Sequence, residues 1–209
     1  MNKILVSQRV DIIPAYQERR DAIDQRWTEF LMAIGLLPIF VSNNIDHAQS
    51  LVQEISCTGI LLTGGNDLSR YGGDTKERDA VEHFLIDYAM THKIPLGGIC
   101  HGMQVIQAYF STPLRQVNNR INVEVPLILN SESRYNQFFS ELKQVKTYYQ
   151  WASTEVAQDF LISIQDHEGY VMAIEHCQLP IWGQMWHPER SEPFAITDQK
   201  FFQKFFEVL

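Results

Sequence analysis

The sequence predicts an α/β protein: a mostly parallel sheet flanked by helices, with antiparallel additions in the C-terminal half. Three observations carry that expectation. Over the first half of the chain, short apolar segments alternate with longer amphipathic ones, the rhythm of strands joined by crossover helices. GILLT (59–63) is apolar without a break in its first four residues, as a strand buried on both faces must be. After about residue 113 the spacing shortens, and strand-like segments follow one another in close succession.

In chain order, KILVSQ (3–8) is the first expected strand. AIDQRWTEFLMAIG (22–35) places Ile23, Trp27, Phe30, Leu31 and Ile34 at helical spacing and ends on a glycine suited to a helix C-terminus. LPIFVS (37–42) is the second strand, and DHAQSLVQEI (46–55) a helix with Asp46 as its N-cap. GILLT is the third strand, ERDAVEHFLIDYAMTH (77–92) a third amphipathic helix, IPLGGI (94–99) a strand and HGMQVIQAYF (101–110) a helix. NVEVPLIL, LKQVKTYYQ, LISIQ, GYVMAIEH and PIWGQMWH are the later strands, and the aromatic-rich TDQKFFQKFFEVL (197–209) is a closing helix. At 209 residues the chain is expected to form a single domain over 1–209.

Composition narrows the function classes. A formal net charge of −8, with 17 Lys and Arg scattered along the chain, opposes general attraction to nucleic acid or anionic membranes. The N-terminus has too few consecutive apolar residues for a signal peptide, and no stretch approaches the ~18 of a spanning helix, so a cytoplasmic location is expected. Three cysteines without a CxxC pair fit reduced thiols, and seven histidines without HxxxH spacing give no metal site. No cofactor motif is present. Nothing in the sequence decides for or against a homo-oligomer.

Three short segments could carry chemistry. In PLGGICHGMQ (95–104), Gly98 and Gly102 flank Cys100 where a strand must reverse into a helix, the device that G-x-S-x-G uses for serine. A cysteine at a helix N-terminus faces unpaired N–H groups and the helix dipole, which favour a thiolate. The N–H of His101 would then lie toward an oxyanion. Close packing of a small residue at a cramped strand end is the alternative. Cys57 and Cys177 have no such turn and read as packing residues. In LLTGGNDL (61–68) a buried strand opens into Gly64 and Gly65, whose backbone can approach an anionic oxygen; an ordinary tight turn would look the same. In GQMWHPER (183–190), Glu189 can orient His187 across Pro188, although an isolated His-Pro-Glu also suits a surface turn. The order Gly-Gly, Cys, His-x-Glu gives these segments joint weight.

With TGGND ahead of them, GICHGMQ and WHPE resemble the class I glutamine amidotransferase-like fold, in particular its free-standing gamma-glutamyl hydrolase branch, peptidase family C26. The resemblance spans roughly residues 59–190. It implies a flavodoxin-like three-layer α/β/α sandwich with a nucleophile elbow, no cofactor and a small-molecule gamma-glutamyl substrate. It further implies Cys100 as nucleophile, His187 as base, Glu189 as the orienting acid, oxyanion N–H groups from Gly65 and His101, and Gln104 beside the bound glutamyl group.

The leaving group must be read from less specific segments. ILVSQRV followed by AYQERRDAIDQRW is similar to a subgroup that hydrolyses gamma-glutamyl-CDP-amidate, a step that yields the cytidine diphosphoramidate used on bacterial capsular or other surface polysaccharide. Arg9, Arg19 and Arg20 could pair with its diphosphate, or could be charged residues of a solvated loop and helix start. Tyr149 stands where many relatives carry the histidine of a V-N-S-x-H segment, and NNRINVEV replaces a G-H-x4-H pattern. Both departures argue against polyamine-type and folate-type substrates. Tyr148, Tyr149 and Trp151 could stack on a base or fill the core. Three functions stay open: a stand-alone gamma-glutamyl amide hydrolase, a glutaminase component that passes ammonia to a separate synthetase, and a binding module, which the complete Cys-His-Glu set argues against.

Overall fold

A computed structural model describes residues 1–207. The first half runs β1 (Asn2–Ser7), β2 (Arg9–Ile13), β3 (Glu18–Ala22), α1 (Gln25–Ala33), β4 (Leu36–Val41), α2 (Ile45–Glu54), β5 (Gly59–Leu62), α3 (Lys76–His92), β6 (Leu96–Ile99) and α4 (His101–Tyr109). The second half runs β7 (Arg115–Gln116), β8 (Ile121–Leu129), α5 (Asn136–Phe139), β9 (Gln144–Tyr148), β10 (Trp151–Ala152), β11 (Phe160–Asp166), β12 (Val171–His176), β13 (Ile181–Gln184) and α6 (Ile196–Phe205). Nine strands form one sheet in the order β4-β1-β5-β6-β13-β12-β11-β8-β9.

The pairings from β4 to β13 are parallel, and those from β13 to β9 are antiparallel. This is the expected α/β class, with one refinement: the last strand of the chain, β13, inserts at the junction, parallel to β6 and antiparallel to β12. Strands β5, β6, β12 and β13 are buried at every residue, in keeping with their largely apolar sequences; β12 (VMAIEH) ends in the buried Glu175 and His176. Helices α1 and α6 add Trp27, Phe30, Phe201, Phe202 and Phe205, and these rings build an aromatic layer that extends to Trp182 and Phe139.

Several expectations need correction. Residues 9–22 do not lead directly into a helix; they form the hairpin β2–β3, with Arg9 opposite Ala22 and Ile13 opposite Glu18. The exposed charges of ERRDA in β3 hide this strand, because neither of its faces is apolar. Helix α1 therefore starts at Gln25, capped by Asp24, which accepts from the Arg26 N–H (3.0 Å). Helix α2 is capped by Asn44, which accepts from the His47 N–H (2.9 Å), and Asp46 lies in its first turn. Cys177 is exposed just beyond β12, so it is no packing residue, whereas Cys57 is half-buried against the core. The strands expected at NVEVPLIL and LKQVKTYYQ are present as β8 and β9 at the end of the sheet. The expected closing helix ends at Phe205, and residues 208–209 lie outside the described residues.

Candidate active site

Strands β5, β6 and β13 are parallel neighbours, so their carboxyl ends share one edge of the sheet. The Gly64-Gly65 loop follows β5, Cys100 follows β6, and His187 follows β13 by three residues. Three segments that are far apart in sequence are thereby gathered at one point. Gly64 lies between the other two: a Cβ built on it would sit 2.6 Å from His187 Cε1 and 3.6 Å from Cys100 Cβ.

The Cys100 turn is as sharp as its glycines require. Cys100 has φ 52 and ψ −103, a strained conformation for a residue with a side chain, costing on the order of 1–3 kcal/mol. Two hydrogen bonds hold it: its N–H donates to Gln184 O (2.8 Å), and its carbonyl accepts from Gln104 N (3.0 Å), starting α4. The helix can approach the sheet only because residues 98 and 102 lack side chains. A Cβ on Gly98 would lie 2.7 Å from the Gly102 carbonyl carbon, and one on Gly102 would lie 2.2 Å from Leu62 O. Cys100 itself is buried, with 7% exposure.

His187 Nδ1 donates to Glu189 Oε1 at 2.7 Å, which fixes the tautomer and turns Nε2 toward the sheet edge. Burial alone would lower the basicity of His187, but the neighbouring Cys100 and the hydrogen-bonded Glu189 outweigh it and push its pKa up to about 9. The ring can hold a proton beside the sulfur and later deliver it. Arg26 of α1 anchors this turn by donating to Glu189 O and Ser191 O, each at 2.7 Å. Nothing in the sequence singles out Arg26, because these two carbonyls, and the Glu192 carboxylate that it also meets at 2.6 Å, lie more than 160 residues away.

A second buried network, equally silent in the sequence, lies behind the Gly-Gly loop. Ser7 donates to Glu82 Oε1 (2.7 Å), and Arg78 Nε donates to the same oxygen (2.9 Å). His101 Nε2 meets Glu82 Oε2 (2.9 Å), and its Nδ1 meets Asn66 O (3.1 Å). Arg78 also donates to the carbonyls of Thr63 (2.7 Å) and Gly65. Burial pushes the Glu82 carboxyl up, but Arg78 and then His101 overrule it and hold it down to about 2. Through Arg78 and the His101 imidazole, the carbonyls of Thr63, Gly65 and Asn66 are thus tied to one carboxylate. Gly65 adopts φ +92, a conformation that favours glycine.

The remaining expected residues divide. Gln104 stands one turn after Cys100 on α4, buried, with Nε2 donating to Trp151 O (2.8 Å). Arg9 lines the crevice at Gly65 and His187 while pairing with Asp11 (3.0 Å). Arg19 and Arg20 do not line that crevice. Arg19 is engaged by Glu77 and Asp74, and Arg20 by Glu18, so the expectation that they meet a diphosphate finds no geometric support. Tyr149 is core, its hydroxyl 3.6 Å from Met172 Sδ, and Trp151 packs on Tyr71. Tyr148 is the aromatic residue that reaches the site, its ring 5.9 Å from that of His187 at 84°. Among the described residues no three His, Cys, Asp or Glu side chains cluster as a metal ion would need, and no helix is long and apolar enough to cross a membrane.

Comparison with known proteins identifies the family and the fold. The model of the family described as Peptidase C26 matches residues 6–189. A Campylobacter jejuni protein named gamma-glutamyl-CDP-amidate hydrolase is 28% identical over 194 residues, covering 89% of each chain. A component of the glutamine-hydrolyzing GMP synthase from Methanospirillum hungatei is 30% identical over 156 residues, covering 73% of each chain. Among solved structures, the glutaminase domain of Trypanosoma brucei CTPS superposes with a TM-score of 0.73 at 14% identity, covering 99% of this chain and 94% of that one. A glutamine amidotransferase from Thermotoga maritima superposes with a TM-score of 0.68 at 14% identity, covering 99% of this chain and 84% of that one. The chain has the class I glutamine amidotransferase fold and belongs to the peptidase C26 family.

Proposed function

We propose that this protein hydrolyses a gamma-glutamyl amide through a thioester on Cys100, and that its substrate is gamma-glutamyl-CDP-amidate. The Cys100 thiolate attacks the gamma-carbonyl, and the N–H groups of Gly65 and His101 hold the oxyanion. Collapse of the tetrahedral intermediate breaks the C–N bond as protonated His187 gives its proton to the leaving nitrogen. Water then attacks the thioester, His187 takes a proton from it, and glutamate leaves with the cysteine restored. Glu189 keeps the imidazole oriented throughout. Loss of one oxyanion donor in such chemistry costs about 10²–10³ in rate.

The observation that carries this reading is the meeting of Cys100 with a His187 already bonded to Glu189 at 2.7 Å, at the shared edge of β5, β6 and β13. The amidate substrate, and with it a role in phosphoramidate modification of bacterial surface polysaccharide, is supported by the name of the Campylobacter relative and by the N-terminal resemblance. The GMP synthase relative favours a second reading, in which glutamine is the substrate and ammonia passes to a synthetase. Glutamate release from gamma-glutamyl-CDP-amidate, glutamine and gamma-glutamyl-putrescine separates them. The amidate is expected to be turned over best, and Cys100→Ala to abolish release from all three. Glutamine as the best substrate would overturn the substrate assignment, and full activity in Cys100→Ala the mechanism.

A further inference from the structure

We propose that the leaving group sits in the groove between β9 and the turn after His187, as a nucleoside diphosphate held by Tyr148, Arg190 and Lys146. This assignment rests on the hydrolase reading above, since it takes His187 as the donor to the leaving nitrogen. The leaving group must therefore begin at His187 and extend into a space that touches it. Two spaces do. The crevice toward Arg9, Trp27 and Gly64 measures about 20 Å³, room for little more than one water. The groove toward β9 measures about 390 Å³, within the ~300–1,000 Å³ of small-molecule sites. Released ammonia would need none of that volume.

The chemistry of the groove narrows its occupant. Along β9, Gln144, Lys146 and Tyr148 alternate with the buried Val145 and Thr147, so the three share the face that lines the groove. The Arg190 guanidinium lies 4.6 Å from the centre of the Tyr148 ring, which in turn stands edge-on to His187. This pair is a flat cationic platform on which a base can stack and from which a phosphate can be gripped. Lys146 makes no ion pair among the described residues. Glu124, directly across from it on β8, instead accepts from Gln144 Nε2 (2.8 Å). Nearest to Arg190 is Glu189, 3.7 Å from its Nε and already occupied by His187. The floor is Trp186, whose indole N–H donates to the buried Asp198 (3.1 Å). Burial pushes that carboxyl up to about 6, and its Oδ1 is occupied by the indole N–H. Glu124 and Asp198 also line the groove, but each accepts a hydrogen bond from a neighbour, and the two cations beside an aromatic ring suit a phosphorylated base.

The test combines binding and turnover in the intact protein. CDP, inorganic pyrophosphate and cytidine are titrated calorimetrically into wild type, Lys146→Ala, Arg190→Gln and Tyr148→Ala, with Lys200→Ala on α6, which does not line the groove, as a charge-loss control. Thermal melting shows that each variant is folded. Lys146→Ala and Arg190→Gln are expected to weaken CDP and pyrophosphate about tenfold, and Tyr148→Ala to weaken CDP and cytidine about tenfold. The ratio of kcat/KM for gamma-glutamyl-CDP-amidate over glutamine should fall by a similar factor in all three, chiefly through KM, and stay at the wild-type value in Lys200→Ala. Failure of CDP to bind wild type, or equal CDP affinity in wild type and the three groove variants, overturns the assignment of the groove. A wild-type protein that binds CDP in this groove yet releases glutamate from no gamma-glutamyl amide overturns the hydrolase reading on which it rests.

Discussion

Gly64→Ala should disable the site without unfolding the protein. The backbone of Gly64 has no positive φ, so alanine can adopt it. The added methyl would nevertheless stand 2.6 Å from His187 Cε1, about 1 Å inside the ~3.6 Å of ordinary carbon contact. His187 is the neighbour that must move, because the methyl is already at an ordinary 3.6 Å from Cys100 Cβ. Its ring is held by Glu189, whose turn is anchored by Arg26, so a shift of about 1 Å takes Nε2 off the line to the sulfur. Misplacement of that size costs about 10²-fold in rate, and that is the expected loss in kcat/KM for glutamate release. The contrasting variant is Gly72→Ala. A Cβ there meets nothing within 4 Å, but φ is +94, so it should lose about 1 kcal/mol of stability through backbone strain while leaving turnover intact. The two variants are compared by steady-state kinetics and urea denaturation. A folded Gly64→Ala protein within threefold of wild-type kcat/KM would refute the placement of His187 against Cys100.

The buried acids give predictions of opposite sign. Glu82 has its pKa held at about 2, below its ordinary 4.5, so its contribution is full above pH 4.5 and is lost as pH falls through 2. The stability gap between wild type and Glu82→Gln, measured by urea denaturation, should narrow by about 3 kcal/mol between pH 5 and 2, and a constant gap would contradict the network. Asp198 is raised to about 6 from 3.8, so its contribution is full below pH 3.8 and is lost as pH rises through 6. Asp198→Asn keeps an acceptor for the Trp186 indole and should stabilise the protein at pH 8, by up to about 3 kcal/mol, but not at pH 3.5. Arg26→Ala should lower kcat about tenfold by freeing the turn that carries His187, with KM much less affected; an unchanged kcat would show that Glu189 needs no such anchor.

What the sequence makes legible follows from how local each signal is. The Cys100 elbow is readable because its requirements, two glycines at fixed offsets and a strand-to-helix change, all lie within ten residues. Gly64-Gly65 and His187-x-Glu189 are readable for the same reason, and the order of strands then places them on one edge. The Ser7–Glu82–His101 network is not readable, since its members are 75 and 19 residues apart and each looks ordinary in its own segment. The hairpin β2–β3 escapes on a different ground. A strand with no apolar face carries no period-2 signal, and its arginines then read as free cations when Asp74, Glu77 and Glu18 already engage them.

The two halves of the sheet divide the work of the site. The parallel half brings Gly64, Cys100 and His187 together because parallel strands end on the same edge, and it supplies what any gamma-glutamyl amide would need. In the proposed assignment the antiparallel half supplies what distinguishes one leaving group from another, yet β9 lies four strands beyond β13. In a flat sheet, four spacings of ~4.8 Å would leave Tyr148 nearly 20 Å from His187. The rings are instead 5.9 Å apart, so the extension must curl back over the edge. The devices that bend it are visible: register shifts in the pairing of β11 with β12 at Ile162/Ile164 and Ile164/Gln165, and another between Ile121 and Val123 in β8, where Asn122 takes φ 60. Asn122 lies next to the groove-lining strand, its Oδ1 accepting from the Tyr148 hydroxyl at 3.3 Å. The strands expected at NVEVPLIL and LKQVKTYYQ are therefore present as β8 and β9, and the irregularities that the sequence does not announce carry this edge to the turn of His187, so the shape of the groove beside His187 is a property of the bulges as much as of the side chains that line it.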